Sequence, residues 1–143
     1  MEFKRHPERL WQHMLSMPFI YMMIVPLIVL DIFMEIYHRI CFPLYGLKYV
    51  NRREYVKFDR HKLSYLTFTE SLNCIYCSYA NGFLGYASAI AGATEKYWCG
   101  IKHLEERGFK APPHQKEFLE YGDEKAYEKM CKLHDEKKHE KRH

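Results

Sequence analysis

The run from Met14 to Leu30, MLSMPFIYMMIVPLIVL, contains no charged side chain, and it constrains the fold more than any other feature. Extended to Met34, the run is interrupted only by Asp31. A helix of about 20 apolar residues covers the roughly 30 Å of hydrocarbon in a bilayer. Such a run is too long and too apolar for a surface helix of a small soluble domain, so we predict a membrane anchor.

A cleaved signal peptide also begins with a basic segment, and KRHPER would supply one here. Cleavage requires small residues after the apolar run. The run leads instead into DIFMEIYHRICFPLYG, which is rich in bulky side chains. We therefore predict that the anchor is retained.

Two prolines, Pro18 and Pro26, lie inside the run, and each removes a backbone donor and bends a helix. The segment is therefore either a kinked span or a re-entrant hairpin that returns to the face it entered. Basic residues flank both ends: Lys4, Arg5 and Arg9 before the run, and Arg39, Lys48, Arg52 and Arg53 after it. Length favours the span, which we prefer here, whereas basic residues on both flanks suit the hairpin.

The residues after Arg39 are predicted to be cytoplasmic, because the positive-inside bias favours that side by a small margin. The five cysteines are an odd number without the spacing of a disulfide framework, which is typical of a reducing compartment. Basic residues in YVNRREYVKFDRHK follow the anchor, where anionic head groups attract them. No nucleic-acid recognition motif accompanies them, so we expect membrane lipid as the partner and no nucleic acid.

The sequence predicts an all-α protein, with one N-terminal transmembrane or re-entrant helix followed by a small membrane-proximal helical domain. We divide the chain into a basic lead and anchor (1–45), an irregular juxtamembrane segment (46–66), a helical Cys/His region (67–110) and a polar helical tail (111–143). The anchor helix is predicted to end near residue 41, before the proline and glycine of FPLYG.

Local signals refine the later helices. Thr67 or Thr69 is predicted to cap the Cys/His helix, with Glu70 in its first turn, and Asp123 to cap the tail helix. Small residues recur on one side of the Cys/His helix, where they either let another helix approach or are simply tolerated: Gly85, Ser88, Ala89 and Gly92.

Three cysteines and a histidine supply the ligand count of a closed tetrahedral zinc site: Cys74, Cys77, Cys99 and His103. Zinc is our first choice of metal and iron the second, since thiolates suit both. Reduced cysteines that merely pack are the alternative, because free cysteine behaves as a small hydrophobe.

The spacing of the two pairs is an obstacle to this site. On one continuous helix their centres stand about 39 Å apart, at about 1.5 Å per residue. A turn near Ser88, or at the stronger signal Asn81-Gly82, would bring them closer within one chain. An antiparallel dimer of continuous helices would set one chain's Cys-x2-Cys against the partner's Cys99 and His103.

A second group lies at the end of the anchor, where Asp31, Glu35 and His38 share one helix face. Glu35-x2-His38 has the spacing of carboxylate-bridged di-iron bundles, and Glu70 and Glu95 are available as further ligands. These five residues form our alternative metal site, that of a membrane-bound metal-dependent oxidoreductase. We prefer the simpler interpretation that the helix reaches the water layer here and that its carboxylates are hydrated.

Four segments resemble a family of small bacterial membrane-anchored proteins of unknown function: PLIVLDIFMEIYHRICFPLYG, FDRHKL, NCIYCSYANG and TEKYWCGIKH. The resemblance extends from the anchor to about His103. It implies a bacterial membrane protein whose cysteine segments are family features, and it supplies no catalytic residue.

Our expectation from these observations is a metal-binding or interaction protein of a bacterial inner membrane, with its C-terminal region in the cytoplasm. Enzymatic activity is left open. A homo-dimer or a larger membrane complex is the expected assembly, and a scaffold that recruits such a complex through the Gly85–Gly92 face is a further alternative. The chain has no glycine-rich phosphate loop and no Gly-x-Ser-x-Gly elbow, which argues against nucleotide enzymes and serine hydrolases.

Overall fold

The computed structural model describes residues 2–140, and the side chains of residues 4–134. Four α-helices account for most of this part of the chain: α1 Leu10–Met22, α2 Ile24–Tyr45, α3 Phe68–Trp98 and α4 Glu124–Glu140. Residues 2–140 form no strand, although Ile101 and Leu119 make an isolated parallel bridge. The predicted all-α fold, with a long apolar N-terminal helix followed by further helices, is confirmed.

The 3-10 turn Pro7–Arg9 and the helices α1 and α2 form one helical stretch, Pro7–Tyr45, which is long and apolar enough to cross a membrane. It is interrupted only at Met23, between α1 and α2. Pro26 explains the interruption, because it has no N–H for the carbonyl of Met22 and its ring crowds that carbonyl. Only 6% of the most apolar part of the stretch is buried inside the protein.

The end of α2 differs from the prediction. The helix continues through Pro43 and ends at Gly46, whose φ of 67° is the left-handed conformation that closes a helix. Leu47 N–H donates to the carbonyl of Phe42 at 2.9 Å, as in a Schellman motif. Pro43 leaves the carbonyl of Arg39 without its helical donor, and the Tyr49 hydroxyl donates to that oxygen instead at 3.3 Å. A side-chain donor therefore lets the helix tolerate a proline that we had taken as its end.

The chain divides into two compact units between Ile90 and Ala91. In the first unit, α2 and α3 run in the same direction, since contacts advance together along both helices. Tyr79 Oη donates to Asp31 Oδ2 at 2.8 Å, and Tyr86 Oη, farther along α3, lies 2.9 Å from His38 Nδ1, farther along α2. Parallel neighbours need a returning segment, which is residues 46–67, hereafter the connector.

The helix α3 begins with the predicted cap. Thr67 N–H donates to Glu70 Oε2 at 2.9 Å, and Glu70 N–H donates to Thr67 Oγ1 at 3.4 Å, which is a capping box. The helix then continues through Asn81 and Gly82, so the turn that we weighed there is not formed.

Gly82 has a different role. A Cβ at this position would lie 2.7 Å from the Tyr55 carbonyl oxygen and 2.8 Å from Val56 Cα. Glycine is therefore what lets the connector backbone lie directly on α3. Gly85 is less crowded, because its Cβ would lie 3.3 Å from the Tyr55 ring.

The second unit holds the end of α3, a loop region and α4. Glu95 accepts hydrogen bonds from His114 at 2.6 Å and from Gln115 at 2.7 Å, which fastens the loop to the helix. Gly92 allows the approach, since its Cβ would lie 2.9 Å from the His114 ring. Asp123 caps α4 as predicted, with its Oδ1 accepting from Ala126 N–H at 3.0 Å.

Candidate functional site at Arg52

Six polar side chains of the first unit meet on the inner side of α2, and we name them the Arg52 cluster. Three come from α2, one from the connector and two from α3: Asp31, Glu35, His38, Arg52, Tyr79 and Tyr86. The spacing of Asp31, Glu35 and His38 places all three on one face of α2. The returning connector carries Arg52 across that face.

The centre of the cluster is a bidentate ion pair between Arg52 and Asp31. Arg52 Nη1 donates to Asp31 Oδ1 at 2.5 Å, and Arg52 Nη2 donates to Asp31 Oδ2 at 2.6 Å. The planar guanidinium matches the two carboxylate oxygens, which is the strongest geometry for such a pair. Arg52 Nη1 also reaches Glu35 Oε1 at 3.2 Å, so one cation serves two carboxylates.

Tyrosine hydroxyls complete the pairing from α3. Tyr79 Oη donates to Asp31 Oδ2 at 2.8 Å, and Tyr86 Oη donates to Glu35 Oε1 at 3.0 Å. Burial, followed by the hydrogen bond to a carboxylate, raises the pKa of Tyr79 to about 12 and that of Tyr86 to about 12. Both phenols therefore remain protonated donors at neutral pH. The hydrogen bond from Arg52 to Asp31 raises the pKa of the guanidinium above its usual range, which keeps it charged.

His38 connects the cluster to the connector backbone. Its Nε2 accepts from Val50 N–H at 3.1 Å, and its Nδ1 lies 2.9 Å from Tyr86 Oη. In the neutral ring, the nitrogen that accepts carries no proton, so Nδ1 carries it and donates to Tyr86. Tyr86 in turn donates to Glu35, which gives a continuous chain of hydrogen bonds from the connector to α2.

The arrangement suits a structural role. Each side chain of the cluster forms a hydrogen bond or ion pair with another member or with the backbone. Asp31 is only 8% exposed. Carboxylates on an otherwise apolar helix would be costly to bury alone, and Arg52 and the two tyrosines offset that cost. The cluster can hold the connector and α3 against α2.

These contacts correct one sequence interpretation. We had preferred hydrated carboxylates at Asp31 and Glu35, but Asp31 is buried and paired with Arg52. Sequence reasoning missed Arg52, Tyr79 and Tyr86 as their partners. A signal was present, since the tyrosines lie seven residues apart on α3, as Asp31 and His38 do on α2.

The other residues of the alternative metal site have partners elsewhere. Glu70 forms an ion pair with Lys4 at 2.5 Å, and Lys4, together with Thr67, lowers the pKa of Glu70 to about 2. Glu95, in the second unit, is bonded to His114 and Gln115. The hydrogen bond from His114 holds the pKa of Glu95 below its usual range.

The four residues of the predicted zinc site are not gathered into a ligand set by α3. Cys74 and Cys77 lie within this helix and Cys99 directly follows its last residue, with no turn between them. Within the described part of the chain, no group of three or more His, Cys, Asp or Glu side chains is placed to hold a metal ion. The site stays a prediction, and on a continuous helix it needs a second chain.

The small-residue stripe of α3 is used within the chain. Gly85 accommodates Tyr55 of the connector, and Gly92 accommodates His114.

Comparison of the whole chain with protein-family models, curated proteins and solved structures gives no match, so the site is interpreted from its own chemistry.

Proposed function

We propose that the protein is a re-entrant, membrane-anchored scaffold on the cytoplasmic face of a bacterial inner membrane. Its apolar helix lies in one leaflet, and the Arg52 cluster fixes the connector and α3 on the water side of that helix. The observation that carries the proposal is the exposure of most large apolar side chains of the stretch Pro7–Tyr45, next to a polar cluster whose members hydrogen-bond one another.

The two sides of α2 support this orientation. Its inner side is buried and includes Leu27, Asp31, His38 and Phe42. Large apolar side chains are exposed along the rest of α2: Val25, Ile28, Val29, Leu30, Ile32, Phe33, Ile36, Ile40 and Leu44. A helix with one such face lies in the interface, with the apolar face among acyl chains. The helix α1 has no buried residue and is apolar on most sides, so it suits full immersion.

The flanks of the apolar helix favour the re-entrant alternative over the span. Lys4, before α1, is paired with Glu70 at the start of α3, and Arg52, after α2, is paired with Asp31. The connector joins these two places. Its charged side chains between them are exposed: Arg53, Glu54, Lys57, Asp59, Arg60 and Lys62.

An irregular backbone that carries charged side chains is not tolerated in contact with lipid hydrocarbon. If the apolar helix crossed the bilayer between Lys4 and Arg52, the connector would have to return through the hydrocarbon. A re-entrant helix keeps Lys4, Glu70 and the connector on one face, which agrees with basic residues on both flanks. We therefore propose this topology in place of the span that length alone favoured.

The topology test uses a variant in which all five cysteines are replaced by serine. Into this background we would place one cysteine at a time, Glu8→Cys before α1 and Lys62→Cys in the connector. Right-side-out and inverted inner-membrane vesicles are treated with a membrane-impermeant maleimide. We expect both positions to react only in inverted vesicles. Reaction of the Glu8→Cys variant in right-side-out vesicles would show a span and overturn the re-entrant proposal.

Membrane attachment is tested by washing inverted vesicles with urea at neutral pH. The wild-type chain should stay with the vesicles. Val25→Glu combined with Ile28→Glu should release a large fraction, because each charge is costly among acyl chains. Met130→Glu, an equally exposed apolar position on α4, is the matched control and should have no effect. A wild-type chain that is a soluble monomer without detergent would contradict the proposal.

A further inference from the structure

A cleft of about 340 Å³ lies between the connector and α3, and it is separate from the Arg52 cluster. The connector contributes Lys57, Asp59 and Arg60 to its lining, together with Tyr55. The helix contributes Cys77, Ser78 and Asn81, together with Gly82. These residues all belong to the first unit of the chain.

The two cations of the cleft have no ion-pair partner among residues 4–134. Neither Lys57 nor Arg60 forms an ion pair or side-chain hydrogen bond in the described part of the chain, and both are exposed. Asp59 supplies one opposing charge, and it has no ion pair either. Two cations and one carboxylate leave the cleft with a net charge of +1, which matches a singly charged anion.

The wall of the cleft holds an unused donor. Ser78 is 7% exposed, and its hydroxyl makes no hydrogen bond with any described residue. The Ser78 hydroxyl is not one of the fully buried side-chain atoms without a partner, which among the described residues are His61 Nδ1 and Gln115 Oε1. It is therefore open to the cleft and available to donate to a ligand or to water. Asn81 is already engaged, because its Nδ2 donates to the Cys77 carbonyl at 2.9 Å.

We propose that this cleft binds a phosphodiester, with Lys57 and Arg60 meeting its charge and Ser78 donating to a phosphate oxygen. A phosphodiester carries one negative charge, which balances the net charge of the cleft. Guanidinium, ammonium and hydroxyl groups are the usual donors to phosphate oxygens. The cleft lies on the connector, and on the proposed topology the connector is at the head-group layer. A phospholipid head group is therefore the natural source of the ligand, and free phosphate is the other.

The assignment of the ligand to a phospholipid head group rests on the proposed function. The binding of a phosphodiester does not, because the cleft is formed within one chain. The test uses detergent-solubilised full-length protein, and it does not depend on membrane attachment. Cys77 lines the cleft and is an exposed free thiol, which makes it a reporter of occupancy. In a variant with Cys41, Cys74 and Cys99 replaced by serine, Cys131 on α4 remains as an internal control.

The rate of N-ethylmaleimide reaction at Cys77 and Cys131 is followed by mass spectrometry. The added probes are dihexanoyl phosphatidylglycerol below its micelle concentration, inorganic phosphate, and glycerol. A bound ligand slows alkylation of Cys77 by about fourfold at about three times Kd, while Cys131 is unaffected. Protection by the lipid alone identifies a head-group site, and protection by inorganic phosphate as well identifies a general phosphate site.

Variants that remove positive charges test whether ligand binding in the cleft causes the protection of Cys77. Lys57→Gln combined with Arg60→Gln should abolish the protection. Arg53→Gln combined with Lys62→Gln makes the same charge change in the same segment outside the cleft, and protection should persist. Ser78→Ala should weaken protection without changing the ligand-free rate, which serves as a check of folding. The proposal is wrong if neither phosphate probe protects Cys77, or if both charge variants lose protection equally.

Discussion

Arg52 Nη1 and Nη2 lie 2.5 and 2.6 Å from the two carboxylate oxygens of Asp31, across 21 residues of sequence. The pair joins an irregular segment to an apolar helix. It provides a cation for a carboxylate that is nearly buried, and it sets the point at which the connector lies on α2.

Replacement of Arg52 by methionine should destabilise the first unit. Asp31 and Glu35 would then be left without their cation, and breaking a buried pair from one side costs about 3–5 kcal/mol. We expect a loss near 3 kcal/mol, since the Arg52 side chain is 34% exposed. Urea unfolding in detergent, followed by near-ultraviolet circular dichroism, measures the free energy.

Arg53→Met is the matched control for Arg52→Met, because Arg53 is an exposed neighbour on the same turn. It should change the unfolding free energy by less than about 0.5 kcal/mol. Adding Asp31→Asn to Arg52→Met should restore part of the loss, because the uncompensated charge is removed. Equal losses in the two arginine variants would show that the ion pair does not stabilise the fold.

Tyr86→Phe should cost about 1–2 kcal/mol, because Glu35 loses a donor and the N–H at His38 Nδ1 loses its acceptor. Tyr65, with 77% exposure, provides the control Tyr65→Phe, which should be neutral. Chemical denaturation of both variants gives the difference. A neutral Tyr86→Phe would mean that water replaces the hydroxyl, and that the chain of hydrogen bonds is not needed.

The raised pKa values of Tyr79 and Tyr86 predict a stability loss in alkali. Both pKa values move from 10.0 to about 12 in the folded chain, so folding stabilises the protonated phenols. Their contribution is complete below pH 10 and is lost as the pH rises towards 12. Tyrosinate absorbance of the wild type minus that of the double variant Tyr79→Phe, Tyr86→Phe should titrate in this window. A difference curve centred near pH 10 would contradict the burial of these hydroxyls.

Gly82→Ala should destabilise the protein by about 2 kcal/mol, although alanine is favoured over glycine in a helix by about 1 kcal/mol. The new Cβ would meet backbone atoms of Tyr55 and Val56 at 2.7 and 2.8 Å, and backbone cannot move as a side chain can. Gly85→Ala is the control, since its Cβ would meet only a ring atom at 3.3 Å. Limited trypsin digestion should cleave the connector faster in Gly82→Ala than in Gly85→Ala. Similar rates would show that the connector does not lie on α3 at Gly82.

The predicted zinc site can be tested by metal analysis of size-separated protein. Because α3 is continuous, we expect monomer to hold less than about a tenth of an equivalent of zinc, and any zinc to be in dimer. Cys74→Ser should lower the zinc content of the dimer fraction. A monomer with one zinc per chain that is lost in Cys74→Ser would mean that the ligands meet within one chain. Thiolate ligands also require that zinc be released as the pH falls and the sulfurs are protonated.

Signals that depend on a few neighbouring residues were read correctly. The caps at Thr67 and Asp123 follow from side chains that can reach nearby N–H groups, and the apolar run follows from composition alone. A turn at Asn81-Gly82 and a continuous helix both remained open from the sequence, because the same dipeptide serves either a turn or a close approach of backbone. Only the path of the connector distinguishes the two, and it is set by contacts distant in sequence.

The partners of Asp31 could not be assigned from the sequence for the same reason. Arg52 lies in a segment without periodicity, and several other basic residues surround it. Arg52 becomes the partner of Asp31 because α2 and α3 run parallel. That alignment determines how far the connector returns along α2 before α3 begins. The tyrosine spacing on α3 was the remaining clue, and it is interpretable only once those two helices are known to be neighbours.

The ion pair between Lys4 and Glu70 has a consequence for biogenesis. If both flanks of the apolar helix stay on the cytoplasmic side, where the chain is synthesised, no charged segment has to be translocated across the membrane. Insertion then requires only partition of α1 and the outer face of α2 into the nearer lipid layer, after synthesis and without a translocation channel. The protein's residence on the membrane is in that case an equilibrium, set by hydrocarbon area and by head-group charge.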